Sequence, residues 1–459
     1  MSFLPVFKFI NIRKAFIMFT RKDLQKLIFP LIIEQVLAIT VGMADIIMVA
    51  KAGEAAASGV SLVDTINILL INIFAALATG GAVVSAQFLG HDDKKSACKS
   101  ANQILITVFT IAVTIMLIAL IGNKEILSLA FGNVETDVMN NARLYFLISA
   151  FSYPFLGLYN ACAALFRSMG NSKVSMYISF GMNGINIIGN AIFLYGFHAG
   201  VEGVAIPTLI SRITGAIIML LLIRNTKYNI HIGREFSFKP DFTLIKKILR
   251  IGVPNGLENS MFQIGKVIVQ SLIASFGTTA IAGNAIANTV ASFEIIPGSA
   301  IGLALITVVG QCVGAGELEQ AKYYTIKLMK ITFIIMGILN VIIALLCGPI
   351  VNFYHFSKET TEIAYNLIMY HSVVCIFIWP LSFTLPNALR AASDVKFTMM
   401  VSIISMWVWR IIFSYVLGKY YGLGVLGIWI AMTLDWLFRG SCFVIRFLKG
   451  KWRLAYSLE

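Results

Sequence analysis

Apolar stretches of roughly 20 residues recur about twelve times along this chain, each followed by a short polar or glycine-rich turn. They lie near 26–50, 63–89, 102–122, 142–165, 174–196, 203–223, 248–275, 284–313, 325–347, 362–386, 397–417 and 425–446. That length is what a helix needs to cross the hydrocarbon core of a bilayer. Backbone polar groups in lipid must be satisfied within the segment, so each stretch predicts a helix. A membrane barrel would need alternating strands of about ten residues, and runs such as 102–122 do not alternate.

The pattern also reads twice. At an offset of 224, Pro30 falls on Pro254, Glu34 on Glu258, Gly53 on Gly277, Gly59 on Gly283, Thr65 on Thr289, Gln87 on Gln311 and Gly90 on Gly314. About 12 of the 61 positions from 30 to 90 are identical to their counterparts. One residue off that offset, Arg167 and Lys173 fall on Arg390 and Lys396. A duplicated, very apolar chain points to a transporter built from two halves around a central site. With six spans per half, both halves have the same orientation and a pseudo-twofold axis along the membrane normal. The fold expected is therefore all-α and integral to the membrane, with twelve transmembrane helices in two six-helix bundles. The expected divisions are an interfacial N-terminal segment over 1–25, bundles over 26–230 and 248–459, and a linker over 231–247.

Composition supports this reading. The chain is 58% hydrophobic and 13% charged, against about 25% charged in soluble domains. The net charge of +14 suggests nucleic acid, but its distribution does not. With both termini cytoplasmic, about 27 Lys and Arg fall in cytoplasmic segments and about 5 in external loops. The basic residues thus set topology in the inner cell membrane and face anionic lipid headgroups, with no nucleic-acid partner. The six cysteines are scattered without metal or disulfide spacing, and no phosphate-binding loop, zinc-protease motif or nucleophile elbow appears. An enzyme is disfavoured and no cofactor is expected; energy must come from an ion gradient or a partner.

Ionisable residues within spans cost several kcal/mol unless paired, hydrated or neutralised, so each is a functional candidate. Asp45 lies deep in the first span and is expected to bind a proton or a cation; the alternative is an ion pair with Lys266 of the seventh span. Glu34, three turns earlier on the same face, its repeat-mate Glu258, Lys266, and Glu294 beside Pro297-Gly298 are candidates for a substrate cleft. Asp435 and Arg439, four apart, are expected to neutralise each other, and Asp64 is expected to open the second span. In the fifth span Asn183, Asn186 and Asn190 offer amide oxygens, with Thr208 just after Pro207 in the sixth. Such groups either coordinate a hard cation or hydrogen-bond helix to helix.

Several segments resemble those of multidrug and toxic compound extrusion (MATE) transporters, in family order. They are 42–50 with Asp45, 80–90 ending Gln87-Phe88-Leu89-Gly90, the turn 165–171, and 200–205. The resemblance is nearest to the prokaryotic DinF-like branch. It implies two bundles flanking a cleft, with export of amphipathic, usually cationic, drugs by exchange with H+ or Na+. It also implies a cation site at Asp45, Asn186, Asn190 and Thr208, and a helix bend at Pro30. Asn190 stands where that branch has a second Asp, leaving one carboxylate in the implied site. A monomer, with organic cations and membrane lipids as partners, is expected. Two rival readings are a lipid-linked saccharide flippase of the same wider superfamily and a non-transporting membrane scaffold or receptor.

Overall fold

The computed structural model describes residues 18–132, 134–233 and 239–455. Seven helices build an N lobe: α1 (Arg21–Val49), α2 (Glu54–Gly90), α3 (Lys94–Ile121), a short α4 (Asn123–Phe131), α5 (Thr136–Ser168), α6 (Ser172–Ala191) and α7 (Glu202–Ile223). Eight build a C lobe: α8 (Phe242–Ala274), α9 (Thr278–Glu294), α10 (Ile296–Gly314), α11 (Leu318–Asn352), α12 (Lys358–Trp379), α13 (Leu385–Ala391), α14 (Val395–Ser405) and α15 (Gly424–Leu448). The helix break at Ile295 divides the eighth span into α9 and α10. A π-helical turn at Pro380–Thr384 joins α12 to α13, and two more at Met406–Ile412 and Ser414–Tyr420 continue α14.

Eleven of the described helical segments are long and apolar enough to cross a membrane on composition alone. The remaining span, α8, has 33 residues and carries Glu258 and Lys266, which lower its apolar character. The spans begin earlier than hydropathy suggests. Helix α1 starts at Arg21, inside the expected interfacial segment, and residues 1–17 lie outside the described residues. Helix α8 starts at Phe242, so the end of the expected linker is helical, while 234–238 lie outside the described residues. Polar caps explain such starts: Asp93 accepts from Ser96 N at 2.9 Å ahead of α3, and Asp241 accepts from Thr243 N and Leu244 N ahead of α8. Gly53 and Gly277, repeat-mates, both precede a helix with φ near +100°, at 105° and 97°. Only glycine adopts that conformation at little cost.

The lobes meet on the face that carries the start of α1 and the end of α15. There Gln87 Nε2 donates to Ala391 O at 2.8 Å and to Ser393 Oγ at 3.1 Å. Its repeat-mate Gln311 Nε2 donates to Ser168 O at 2.7 Å, the equivalent position in the other half. A Cβ on Gly90 would overlap the Gln311 carbonyl, and one on Gly314 the Gln87 carbonyl. Glycine thus lets two helix ends touch backbone to backbone, and the twofold axis passes between them. Helix α1 crosses this boundary. Its first half buries Leu24, Leu27, Ile28 and Leu31 in the C-lobe core with Ala300, Leu305 and Leu328, while its second half belongs to the N lobe. It runs through Pro30 as one helix.

Candidate functional site

Toward the far end of α1, Asp45 faces α6. Asn190 Nδ2 donates to Asp45 Oδ1 at 2.7 Å and lies 3.4 Å from Asn186 Oδ1. Asn186 Nδ2 donates to Thr208 Oγ1 at 2.9 Å, and Thr208 donates to Val204 O at 2.8 Å. The four residues named by sequence therefore form one connected chain across α1, α6 and α7. The four-residue spacing puts both amides on one face of α6. Pro207 leaves no N–H to bond within α7, and Thr208 stands immediately beyond it.

Asn186 and Asn190 are buried, whereas Asp45 is partly exposed. The Asn190 carbonyl oxygen is buried with no hydrogen-bond partner. An orphaned buried acceptor is costly in protein. Together with the Asp45 carboxylate, Asn186 Oδ1 and Thr208 Oγ1, it makes an all-oxygen donor set of the kind hard cations take.

Sequence reasoning missed a second carboxylate. Asp64 does not open the second span: α2 starts at Glu54, and Asp64 lies three turns in. It accepts from Tyr145 OH and Asn67 Nδ2, each at 3.2 Å, and Tyr153 OH donates to Asn67 Oδ1 at 2.9 Å. Asp64 and Arg212 lie close enough to Asp45 for their charges to act on it. Arg212 donates to Ser152 Oγ at 2.6 Å. Asp64 is bonded to Asn67 and Tyr145 rather than to the four residues of the chain, and acts on Asp45 through its charge. The available signal was an acid inside a helix whose start the hydropathy window placed too late.

The proposed cleft residues do not gather at this site. Glu34 pairs with Arg167 at 3.3 Å and accepts from Ser175 at 2.8 Å. Glu258 pairs with Arg390 at 2.7 Å and with Arg439 at 3.6 Å. Both are lobe-internal ion pairs of repeat-related residues. Glu294 is wholly buried and bonds to His371 Nδ1 and Ser372 Oγ, with Cys375 nearby. Asp435 does not neutralise Arg439; it pairs with Arg410 at 3.5 Å and accepts from Ser405 at 2.6 Å. Packing within the C lobe overrode four-residue proximity, because α14 and its π-helical turn bring Arg410 against α15. Lys266 makes none of the described ion pairs with Asp45; its Nζ lies 5.9 Å from the Phe262 ring centre. Arg410 and Arg439 flank the same ring at 5.3 and 5.9 Å.

Comparison with known proteins identifies the family and the fold. The MatE family model matches twice, over residues 30–192 and 254–416, at the offset of the internal repeat. The chain is 27% identical over 438 residues to a probable multidrug resistance protein NorM of Thermotoga maritima, covering 94% of this chain and 93% of that one. It is 26% identical over 437 residues to the uncharacterized transporter YisQ of Bacillus subtilis, covering 94% of each. An outward-facing structure of a multidrug resistance MATE transporter superposes with a TM-score of 0.86 at 21% identity, over 95% of this chain and 96% of the other. A MATE structure in a bent conformation gives 0.85 at 21% identity, over 95% of each chain. Both halves match the family model, the fold matches throughout, and the relatives are transporters rather than enzymes: the chain belongs to the MatE family of multidrug transporters.

Proposed function

We propose that this protein exports amphipathic, preferentially cationic compounds across the inner cell membrane by antiport with H+ or Na+. In this reading the terminal face is cytoplasmic and the lobes are closed there, so the conformation is outward-facing. The observation that carries the reading is the Asp45–Asn190–Asn186–Thr208 chain on a helix whose other half is packed into the opposite lobe. An ion arriving at Asp45 changes the charge and hydrogen bonding of α1 at one end. The other end, at Leu24, Leu27, Ile28 and Leu31, is where α1 must leave the C lobe for the cytoplasmic face to open. The ion must bind the two states with different affinity for transport to be coupled, and Asp64 and Arg212 set the local charge against which it does so.

The test is ethidium efflux from proteoliposomes under a sodium gradient and a pH gradient imposed separately. Asp45→Asn keeps an acceptor for Asn190 but cannot carry a proton or a full charge, and is expected to abolish coupled efflux while leaving folded protein abundant. Efflux by that variant at the wild-type rate overturns the mechanism. A second reading, the lipid-linked saccharide flippase, is favoured by one observation: Lys266, Arg410 and Arg439 gather around Phe262 in the C lobe. Export of an anionic amphiphile but not of ethidium would select it.

A further inference from the structure

The seam between the lobes is twofold in its backbone but not in its charge. On one side, the start of α8 meets the end of α2 and the turn after α13 around a cavity of about 490 Å³. That lies within the range of small-molecule pockets, roughly 300–1,000 Å³. Its described lining includes Lys246, Lys247, Arg250, Gln87, Phe88 and Ser393, and no carboxylate. Among the described residues neither Lys246 nor Arg250 takes part in an ion pair. Ser393 holds φ at 66°, an unfavourable conformation for a residue with a Cβ, where its counterpart in the other half is Gly170. That conformation presents the Ser393 hydroxyl to Gln87.

The twofold-related side is built differently. The repeat places Lys22, Asp23 and Lys26 where the cavity side has Lys246, Lys247 and Arg250. An acid replaces the middle cation, and the segment ahead of α1 is tied to α11. Phe19 N donates to Tyr324 OH at 2.9 Å, Met18 N donates to Gln320 Oε1 at 3.2 Å, and the Phe19 and Tyr324 rings meet edge to face at 5.6 Å. Pseudo-symmetry thus supplies its own comparison: one seam carries an acid between its two cations, and the other is a cavity lined by three cations and an aromatic ring.

We propose that this cavity binds a phosphate-bearing anion. Lys246, Lys247 and Arg250 hold the phosphate, Phe88 meets an apolar portion, and Gln87 and Ser393 contribute polar groups from the two lobes. The chemistry is that of an anionic phospholipid headgroup or of a soluble phosphate, and basic pockets between helices at a cytoplasmic surface suit it. Because the lining comes from both lobes, such a site is complete only while they touch, and occupancy favours that state. The site does not depend on the transport reading and is tested without transport.

Hydrogen exchange of the purified, delipidated full chain reads occupancy. The amides at 84–93 and 391–396 are followed in phosphatidylglycerol nanodiscs, in phosphatidylcholine nanodiscs, and in detergent with inorganic phosphate. Slower exchange with phosphatidylglycerol alone identifies a lipid headgroup, and slower exchange with inorganic phosphate identifies a soluble occupant. In either case the triple variant Lys246→Gln/Lys247→Gln/Arg250→Gln is expected to bind about a hundredfold more weakly and lose the protection. The milder Arg250→Gln should lose part of it, should the triple variant fold poorly. The related pair Lys22→Gln/Lys26→Gln should respond as wild type. Protection by neither probe, protection retained in the variants, or equal loss in the Lys22/Lys26 pair overturns the proposal.

Discussion

Removing the Gln87 side chain should open the terminal face more readily than removing its repeat-mate. Gln87 Nε2 makes two bonds across the seam, to Ala391 O and Ser393 Oγ, whereas Gln311 Nε2 makes one, to Ser168 O. Each such bond contributes about 1 kcal/mol net. Gln87→Ala therefore weakens the closed seam by about 2 kcal/mol and Gln311→Ala by about 1 kcal/mol. At 1.4 kcal/mol per factor of ten, these correspond to population shifts of roughly thirtyfold and fivefold. The bonds exist only while the lobes touch, so the loss acts on the conformational equilibrium more than on the stability of either lobe. Spin labels at Ser61→Cys of α2 and Gln270→Cys of α8, in a background without native cysteines, would report the separation on the opposite face. Both positions are exposed on that side. The population with a short distance should grow in the order wild type, Gln311→Ala, Gln87→Ala. Distance distributions identical in all three, or a larger effect from Gln311→Ala, would refute the latch.

Gly314→Ala and Gly90→Ala each place a methyl group against an opposing backbone carbonyl; both should disfavour the closed seam in the same distance measurement, and a neutral result would mean the helix ends separate freely. Arg390→Ala leaves Glu258 buried with only the longer contact to Arg439, and Arg167→Ala leaves Glu34 with Ser175. Each should lower thermal stability by about 3–5 kcal/mol, with partial recovery when the paired Glu is also removed. Asp241 lies outside the spans, and its hydrogen bond with the Lys99 ammonium, 2.5 Å away, holds its carboxyl below the usual carboxylate range, with the Leu244 N–H adding to the effect. Its capping contribution is full above the ordinary value of about 3.9 and is lost as pH falls through the lowered folded value. Exchange at Thr243 and Leu244, corrected for intrinsic rate, should therefore rise only in acid, whereas Asp241→Asn should show faster exchange already at pH 7. Equal exchange in the two proteins at pH 7 would refute the cap.

The hydrophobic pattern and the repeat were enough to specify helical spans and the two-lobe plan. In lipid, each apolar stretch has only the helix available to satisfy its backbone, and a duplicated sequence folds into duplicated lobes. The set Asp45, Asn190, Asn186 and Thr208 was legible only through the family resemblance; spacing by itself put Asn186 and Asn190 on one face of α6 and left cation coordination and helix-to-helix bonding open. The pairing of charges between helices was not legible. Asp435 took Arg410 rather than Arg439, Glu34 and Glu258 took the arginines in the last turns of α5 and α13, and Asp64 joined the neighbourhood of Asp45. Those choices depend on the rotation and depth at which helices pack, which short-range sequence does not encode. The difference between the two seams arose the same way. The repeat makes them equivalent, and only the folded structure shows Lys246, Lys247 and Arg250 lining a cavity on one side and Met18 and Phe19 docked onto α11 on the other.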